Sequence, residues 1–119
     1  LEVFGKVAND SDDDYRKYVR SMTGSLVTFR ATTTPPEIIF GIRWQVVLDE
    51  GPVSAGEELP LKVRCGEGAE FTDSVDRPGK FTVVFWQDLD EDEEIGAEEI
   101  SDSACLSSDV IRLNPYSFL

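Results

Sequence analysis

Apolar and polar residues alternate along several short segments of the chain, which is the pattern of strands that bury one face. The five clearest segments are Leu1 to Ala8, Ser25 to Thr34, Glu37 to Asp49, Leu59 to Cys65 and Lys80 to Gln87. Two further short strands are predicted at Ile95 to Ser101 and Val110 to Leu113. Gly66 to Gly79 is interpreted as a long polar connection. The pattern therefore predicts seven or eight strands separated by turns.

One stretch near the N-terminus has helical rather than strand periodicity. The apolar residues at this spacing are Tyr15, Tyr18, Val19 and Met22. Ser11 precedes them as a helix-capping residue, and Gly24 follows as a typical stop. We expect a single amphipathic helix of about three turns here.

Many short strands with only one helix favour an all-β fold over a fold built from βαβ units. The predicted architecture is an antiparallel β-sandwich of about seven or eight strands with one short amphipathic helix near the N-terminus. A chain of 119 residues suits one domain, so residues 1–119 are expected to form it.

The charge balance narrows the possible functions. Asp and Glu number 24 against 11 Lys and Arg, for a formal net charge of −13. Such a chain repels nucleic acid and anionic membranes, so we expect no direct nucleic-acid binding and membrane contact only through a bound cation. The sequence has no histidine, and its serines and cysteines therefore lack the usual catalytic base. We expect a protein that is not an enzyme.

Cys65 and Cys105 are the only two cysteines. An even count fits one disulfide in an exported protein, and we predict a Cys65–Cys105 bridge and an extracellular or otherwise exported location. Two reduced, buried thiols in a cytoplasmic protein would give the same count.

An acidic segment directly follows the apolar strand at Phe81 to Trp86. Its eight acids are Asp88, Asp90, Glu91, Asp92, Glu93, Glu94, Glu98 and Glu99. Carboxylates this close repel one another unless water, a cation or a basic partner relieves the repulsion. The sequence thus leaves three alternatives for this segment: a metal site, a solvated loop, or a contact surface for a basic protein.

The acids have the spacing of an EF-hand calcium loop. Counting from Asp88, Asp90 and Asp92 are the third and fifth residues and Glu99 is the twelfth. Two features depart from the EF-hand pattern: Glu93 occupies the sixth position, where the sharp turn calls for glycine, and a strand precedes Asp88 instead of a helix. We therefore do not expect a true EF-hand.

The stretch from Phe81 to Ile100 also resembles the last calcium-binding loop of C2-type β-sandwich domains. The resemblance lies in a β-strand with a tryptophan, an Asp-x-Asp pair at Asp88 and Asp90, a further acid, and Ile95-Gly96 before the next strand. It implies that Asp88, Asp90 and one of the acids from Asp92 to Glu94 hold calcium at one end of a sandwich, where a membrane or protein partner binds.

We therefore predict a non-catalytic binding module with a calcium-binding acidic loop. The predicted ligands are Asp88, Asp90, Asp92, Glu94 and Glu99. Calcium suits them because it binds six to eight oxygen atoms and needs no nitrogen or sulfur ligand. The alternative is an acidic inhibitor or immunity-type protein that binds a basic protein partner, or mimics nucleic acid, without a metal.

Overall fold

The computed structural model describes residues 1–8, 14–33, 41–89, 91–96 and 99–109, and these residues contain eight β-strands. The strands are β1 (Glu2–Val7), β2 (Tyr18–Met22), β3 (Leu26–Thr32), β4 (Ile42–Glu50), β5 (Leu61–Glu67), β6 (Glu70–Ser74), β7 (Gly79–Gln87) and β8 (Ser101–Asp109). No helix occurs within these ranges, and so none is long and apolar enough to cross a membrane. The all-β prediction is confirmed.

The strands form two sheets. One has three strands in the order β1-β3-β6, and the other has five in the order β2-β8-β7-β4-β5. The pairings are antiparallel except for β2 with β8, which is parallel with Val19 beside Leu106. The prediction of purely antiparallel sheets is therefore wrong at this pair. The N-terminal part of the chain contributes to both sheets, because β1 belongs to the first and β2 to the second.

Buried side chains from both sheets belong to one hydrophobic cluster. Val3 and Phe29 enter it from the three-stranded sheet, and Val46 and Phe85 from the five-stranded sheet, all with no exposed surface. The rings of Trp44 on β4 and Phe71 on β6 have centroids 4.5 Å apart. Full burial of a Val or Phe side chain contributes about 1.5–3 kcal/mol, so this cluster supplies much of the free energy of folding.

Polar contacts also join the two sheets. Asp102 on β8 accepts hydrogen bonds from Lys17 Nζ and, at 2.8 Å, from the backbone N–H of Val3 on β1. Arg64 on β5 pairs with Asp73 on β6 at 2.7 Å. Burial alone would raise the pKa of Asp102, but the hydrogen bonds from Lys17 and from backbone N–H groups outweigh it and lower the pKa below its usual value.

The predicted N-terminal helix is wrong for the described residues. Tyr18–Met22 is strand β2, in which Val19 alone is buried while Tyr18 is 77% exposed. The helical spacing of the apolar residues was coincidental, since only one of them faces the core. Hydrogen bonds to β8 stabilise an extended conformation instead. Ser11, the proposed cap, lies outside the described residues.

Two other segment predictions need correction. Gly66 to Gly79 contains β6, where Phe71 is buried opposite Phe29 of β3. The described part of Ile95 to Ser101 is not a strand until Ser101, where β8 begins. The segment Val110 to Leu113 lies outside the described residues.

The predicted disulfide is also wrong. Cys65 and Cys105 are both free and exposed, so the alternative of two buried thiols is not met either. Cys65 lies on β5 and Cys105 on β8, with β4 and β7 between them in the sheet. Three strand spacings separate the two by about 14 Å, beyond the reach of a disulfide. The predicted extracellular or otherwise exported location therefore loses the support of a disulfide.

Candidate functional site

The acidic connection between β7 and β8 leaves one end of the five-stranded sheet. The backbone N–H of Asp88 donates to Gly41 O at 2.7 Å, which extends the β4–β7 pairing by one residue. The N–H of Gln87 donates to Ile100 O at 2.9 Å and closes the base of the loop. The sheet thereby fixes where the acidic loop starts and ends.

Three carboxylates of this loop converge. Asp88, Asp92 and Glu99 each place one oxygen so that all three oxygens lie within 4.8 Å of one another. Asp88 is buried, Glu99 is half-buried and Asp92 is exposed, so the cluster opens from the sheet toward solvent. These residues are the first, fifth and twelfth of the stretch, which are positions whose side chains bind calcium in the EF-hand spacing.

The same carboxylates also fold the loop. Glu99 accepts the N–H of Leu89 on Oε2 at 2.7 Å and the N–H of Gly96 on Oε1 at 2.5 Å. Asp92 Oδ1 accepts the N–H of Glu94 at 2.9 Å. Hydrogen bonds to ionised acceptors are stronger than neutral ones, so the loop is held in shape by its own acids. A carboxylate that accepts an N–H retains lone pairs for a cation.

Glu93 adopts the conformation that the sixth position of a calcium loop requires. Its φ is 62°, in the left-handed region that favours glycine, and Glu91 has φ 57°. They are the only non-glycine residues with positive φ in the described part of the chain. This conformation costs roughly 1–2 kcal/mol per residue. In compensation, the N–H of Glu93 reaches Oδ2 of Asp88 at 3.0 Å, so the sharp turn forms without glycine.

Arg43 on β4 supplies a positive charge that sequence reasoning missed. Its Nε lies 2.9 Å from Asp88 Oδ2, and its Nη2 lies 2.9 Å from Glu67 and 3.4 Å from Glu93. The Asp88 side chain is only 1% exposed, and a carboxylate buried so deeply requires a charged or hydrogen-bonding partner. The available signal was one arginine inside the apolar run Ile42-Arg43-Trp44.

Trp86 lies on the same face of the sheet as Arg43, since the two are directly paired between β7 and β4. It is 2% exposed, yet it is not a member of the hydrophobic cluster that the two sheets share. Its Nε1 is buried and makes no hydrogen bond in the described part of the protein. The indole is therefore a buried neighbour of Arg43 on the outer face of the five-stranded sheet.

A cavity of about 700 Å³ opens at the same end of the sheets. Its walls come from the start of β4, the turn between β5 and β6, and the acidic loop. The lining residues are Gly41, Ile42, Arg43, Glu67, Gly68, Ala69, Asp88 and Glu91.

Of the five predicted metal ligands, the structure brings together Asp88, Asp92 and Glu99. Asp90 lies outside the described residues. Glu94 is exposed and does not belong to the converging trio. The seventh position of a calcium loop contributes its main-chain carbonyl, so the side chain of Glu94 is not needed there. The donors are all oxygens, which suits a hard cation such as calcium or magnesium.

No protein-family model matches the chain, and neither the curated proteins nor the solved structures include a match to it. The resemblance to the calcium-binding loop of C2-type domains therefore stays a prediction.

Proposed function

We propose that this protein is a non-catalytic binding module whose loop from Asp88 to Glu99 binds calcium and thereby organises a recognition edge. The observation that carries the proposal is the convergence of Asp88, Asp92 and Glu99 at calcium-loop positions one, five and twelve. Residues 11 positions apart meet here because the loop turns sharply at Glu93.

The proposal includes β-sandwich packing of the two sheets, with the loop at one end. Its support is the single hydrophobic cluster to which both sheets contribute and the contact between Trp44 and Phe71. The Arg64–Asp73 ion pair also joins an edge strand of each sheet. Such packing gives the loop a rigid base.

The proposed ligand set follows the calcium spacing. Asp88 and Asp92 each contribute a carboxylate oxygen, and Glu99 is the bidentate ligand of the last position. The spacing assigns the third position to Asp90 and the seventh to the main-chain carbonyl of Glu94. Asp88 is the anchor of this set, because Arg43 and the backbone of Glu93 hold its carboxylate in place.

Electrostatics favour cation binding at this place. Two like charges about 4.8 Å apart repel by roughly 3 kcal/mol at an effective dielectric constant of about 20. A divalent cation among the three oxygens would convert this repulsion into attraction.

The module is proposed to work outside the cell, where calcium concentrations suit sites with dissociation constants of roughly 10⁻⁴–10⁻³ M. The proposal assigns no catalytic role, because the converging carboxylates already accept backbone hydrogen bonds and the chain has no histidine to pair with a nucleophile.

The proposal is tested by thermal unfolding in millimolar calcium and in chelator, monitored by the combined fluorescence of Trp44 and Trp86. We expect calcium to raise the melting temperature by several degrees, and Asp92→Asn to remove most of that rise while leaving the fold intact. Glu58→Gln is the matched control, because Glu58 is an exposed acid in the connection between β4 and β5, at the opposite end of the sheet. Identical melting curves in calcium and chelator, together with no heat of binding by calorimetry, would refute the proposal.

A further inference from the structure

The cavity beside the loop has walls of mostly negative charge. Three of its lining residues are acids (Glu67, Asp88 and Glu91) and one is a base, Arg43. We propose that this cavity receives a lysine or arginine side chain of a protein partner. The inference rests on the proposed function and deepens it, because it names the partner chemistry for the same recognition edge.

The negative charge of the cavity favours a positively charged side chain over a neutral or anionic one. The Arg43 guanidinium is already engaged by Asp88 and Glu67, each at 2.9 Å, so it has little capacity left for an anionic ligand. The Glu67 side chain is 74% exposed and Glu91 is also exposed, so both can reach an incoming positive group. A ligand with a guanidinium or ammonium group is attracted to this end of a chain of net charge −13.

The shape of the cavity admits a long side chain. Its volume of about 700 Å³ is within the range of ligand pockets. Gly41 and Gly68 lie in its wall with φ values of 68° and 108°, and a Cβ at Gly68 would meet no atom within 4 Å. The absence of side chains at these two positions keeps the wall low at the turn between β5 and β6.

Exposed apolar residues on the loop indicate a protein ligand rather than a free amine. Leu89, one residue after the cavity residue Asp88, is 61% exposed, Ile100 is 56% exposed and Ile95 is 42% exposed. Protein interfaces combine a few anchoring side chains with surrounding apolar contact area. A basic anchor in the cavity and apolar neighbours against the loop fit this arrangement.

Apart from Asp88, calcium and the basic side chain would use different carboxylates. Glu67 and Glu91 line the cavity but do not belong to the converging trio, and Asp92 and Glu99 belong to the trio but do not line the cavity. Asp88 is common to both. Calcium would fix the loop and with it the position of Glu91, so we expect partner binding to be stronger with calcium than with chelator.

The test is a titration of the full chain, observed by NMR, with a capped five-residue peptide of one arginine between leucines and glycines. The matched peptide has citrulline, the neutral isostere, in place of arginine. We expect the arginine peptide to shift the amide signals of Gly41, Gly68 and Glu91, and the citrulline peptide to bind at least tenfold more weakly. Equal binding of the two peptides, or no shift at these amides, overturns the proposal.

Two double variants distinguish the effect of the cavity acids on peptide affinity from the effect of the overall negative charge. Glu67→Gln with Glu91→Gln should weaken the arginine peptide at least tenfold. Glu2→Gln with Glu58→Gln removes the same charge from exposed positions outside the cavity and should change the affinity less than twofold. Equal losses in the two doubles would mean diffuse attraction and would overturn the cavity assignment.

Thermal unfolding of the same samples in calcium and in chelator tests the calcium site separately from the cavity for a basic side chain. A calcium-dependent melting shift without arginine discrimination contradicts the cavity proposal alone. Arginine discrimination without a melting shift contradicts the calcium proposal alone.

Discussion

The Nε atom of Arg43 lies 2.9 Å from Oδ2 of Asp88, whose side chain is 1% exposed. This pair joins the start of β4 to the first residue of the acidic loop. The positive group that such a loop requires is therefore supplied in part by the chain itself. Because Asp88 also belongs to the converging trio, Arg43 holds the innermost proposed calcium ligand in place.

Arg43→Met is expected to destabilise the protein, because it leaves the Asp88 carboxylate buried without its guanidinium. Removing one partner of a buried ion pair costs about 3–5 kcal/mol, and since Arg43 is 22% exposed we expect about 2–3 kcal/mol. Urea unfolding measures the loss. Adding Asp88→Asn should recover a large part of it, and a double variant that is less stable than Arg43→Met would contradict this account.

Glu99→Gln should loosen the loop without unfolding the sheets. Glutamine keeps one acceptor oxygen of the two that now bind Leu89 and Gly96, and the loss of a charged hydrogen bond costs about 1.5–3 kcal/mol. Native-state hydrogen exchange should accelerate at least tenfold at whichever of these two amides loses its acceptor. Glu94→Gln, at an exposed acid of the same loop, is the control and should leave both amides unchanged. Unaltered exchange in Glu99→Gln would show that its carboxylate does not hold the loop.

The contribution of Asp102 to stability should depend on pH. Its pKa is lowered in the folded protein, because hydrogen bonds from Lys17 and backbone N–H groups outweigh the opposing effect of burial. A lowered folded pKa means that the stabilisation is fully present above the unfolded value of about 3.9 and is lost as the pH falls through the folded value. Asp102→Asn should therefore be less stable than wild type at pH 7, with a gap that narrows below pH of about 4.

Unfolding by urea at several pH values measures this gap. The control is Asp109→Asn, because Asp109 is exposed and forms a long ion pair of 3.8 Å with Arg20 at the surface. A surface pair of this kind contributes about 0–1 kcal/mol, so Asp109→Asn is expected to lower the stability at pH 7 by no more than that. A gap for Asp102→Asn that stays constant from pH 7 to pH 3 would contradict the assignment.

Both thiols should react in the native protein. Cys65 and Cys105 are exposed, and their strands are separated by two others in the sheet. We expect an aromatic disulfide reagent to modify two thiols per chain without denaturant, and reductant to leave the melting temperature unchanged. If the native protein has no reactive thiol and a mass two hydrogens lower than that of the reduced chain, the disulfide predicted from the sequence is present after all.

Strands with clean alternation were predictable from sequence, and strands defined by their neighbours were not. β1 and β7 follow from buried residues at every second position, such as Phe81, Val83 and Phe85. β8 escaped prediction because serines and acids occupy most of its positions, although Ala104 and Leu106 face the core. Such a polar segment becomes a strand because β2 and β7 pair with it on both sides.

The candidate site was predictable to the extent that it is local. The positions of Asp88, Asp92 and Glu99 within one stretch indicated that they would meet. Arg43 lies 45 residues before Asp88, and nothing in single-sequence spacing connects them. The left-handed conformation of Glu93 could not be predicted from residue propensities either, because it depends on the hydrogen bond from its N–H to Asp88.

The position of β8 in the five-stranded sheet bears on synthesis of the chain. β8 lies between β2 and β7 although it is the last of the described strands to leave the ribosome. Until it emerges, β2 has no partner in that sheet, and one edge of β7 stays open. Contacts between segments so distant in sequence form slowly and leave unpaired edges exposed to other chains. The nascent protein therefore stays open to wrong pairing until β8 has been synthesised, when one polar strand closes the sheet.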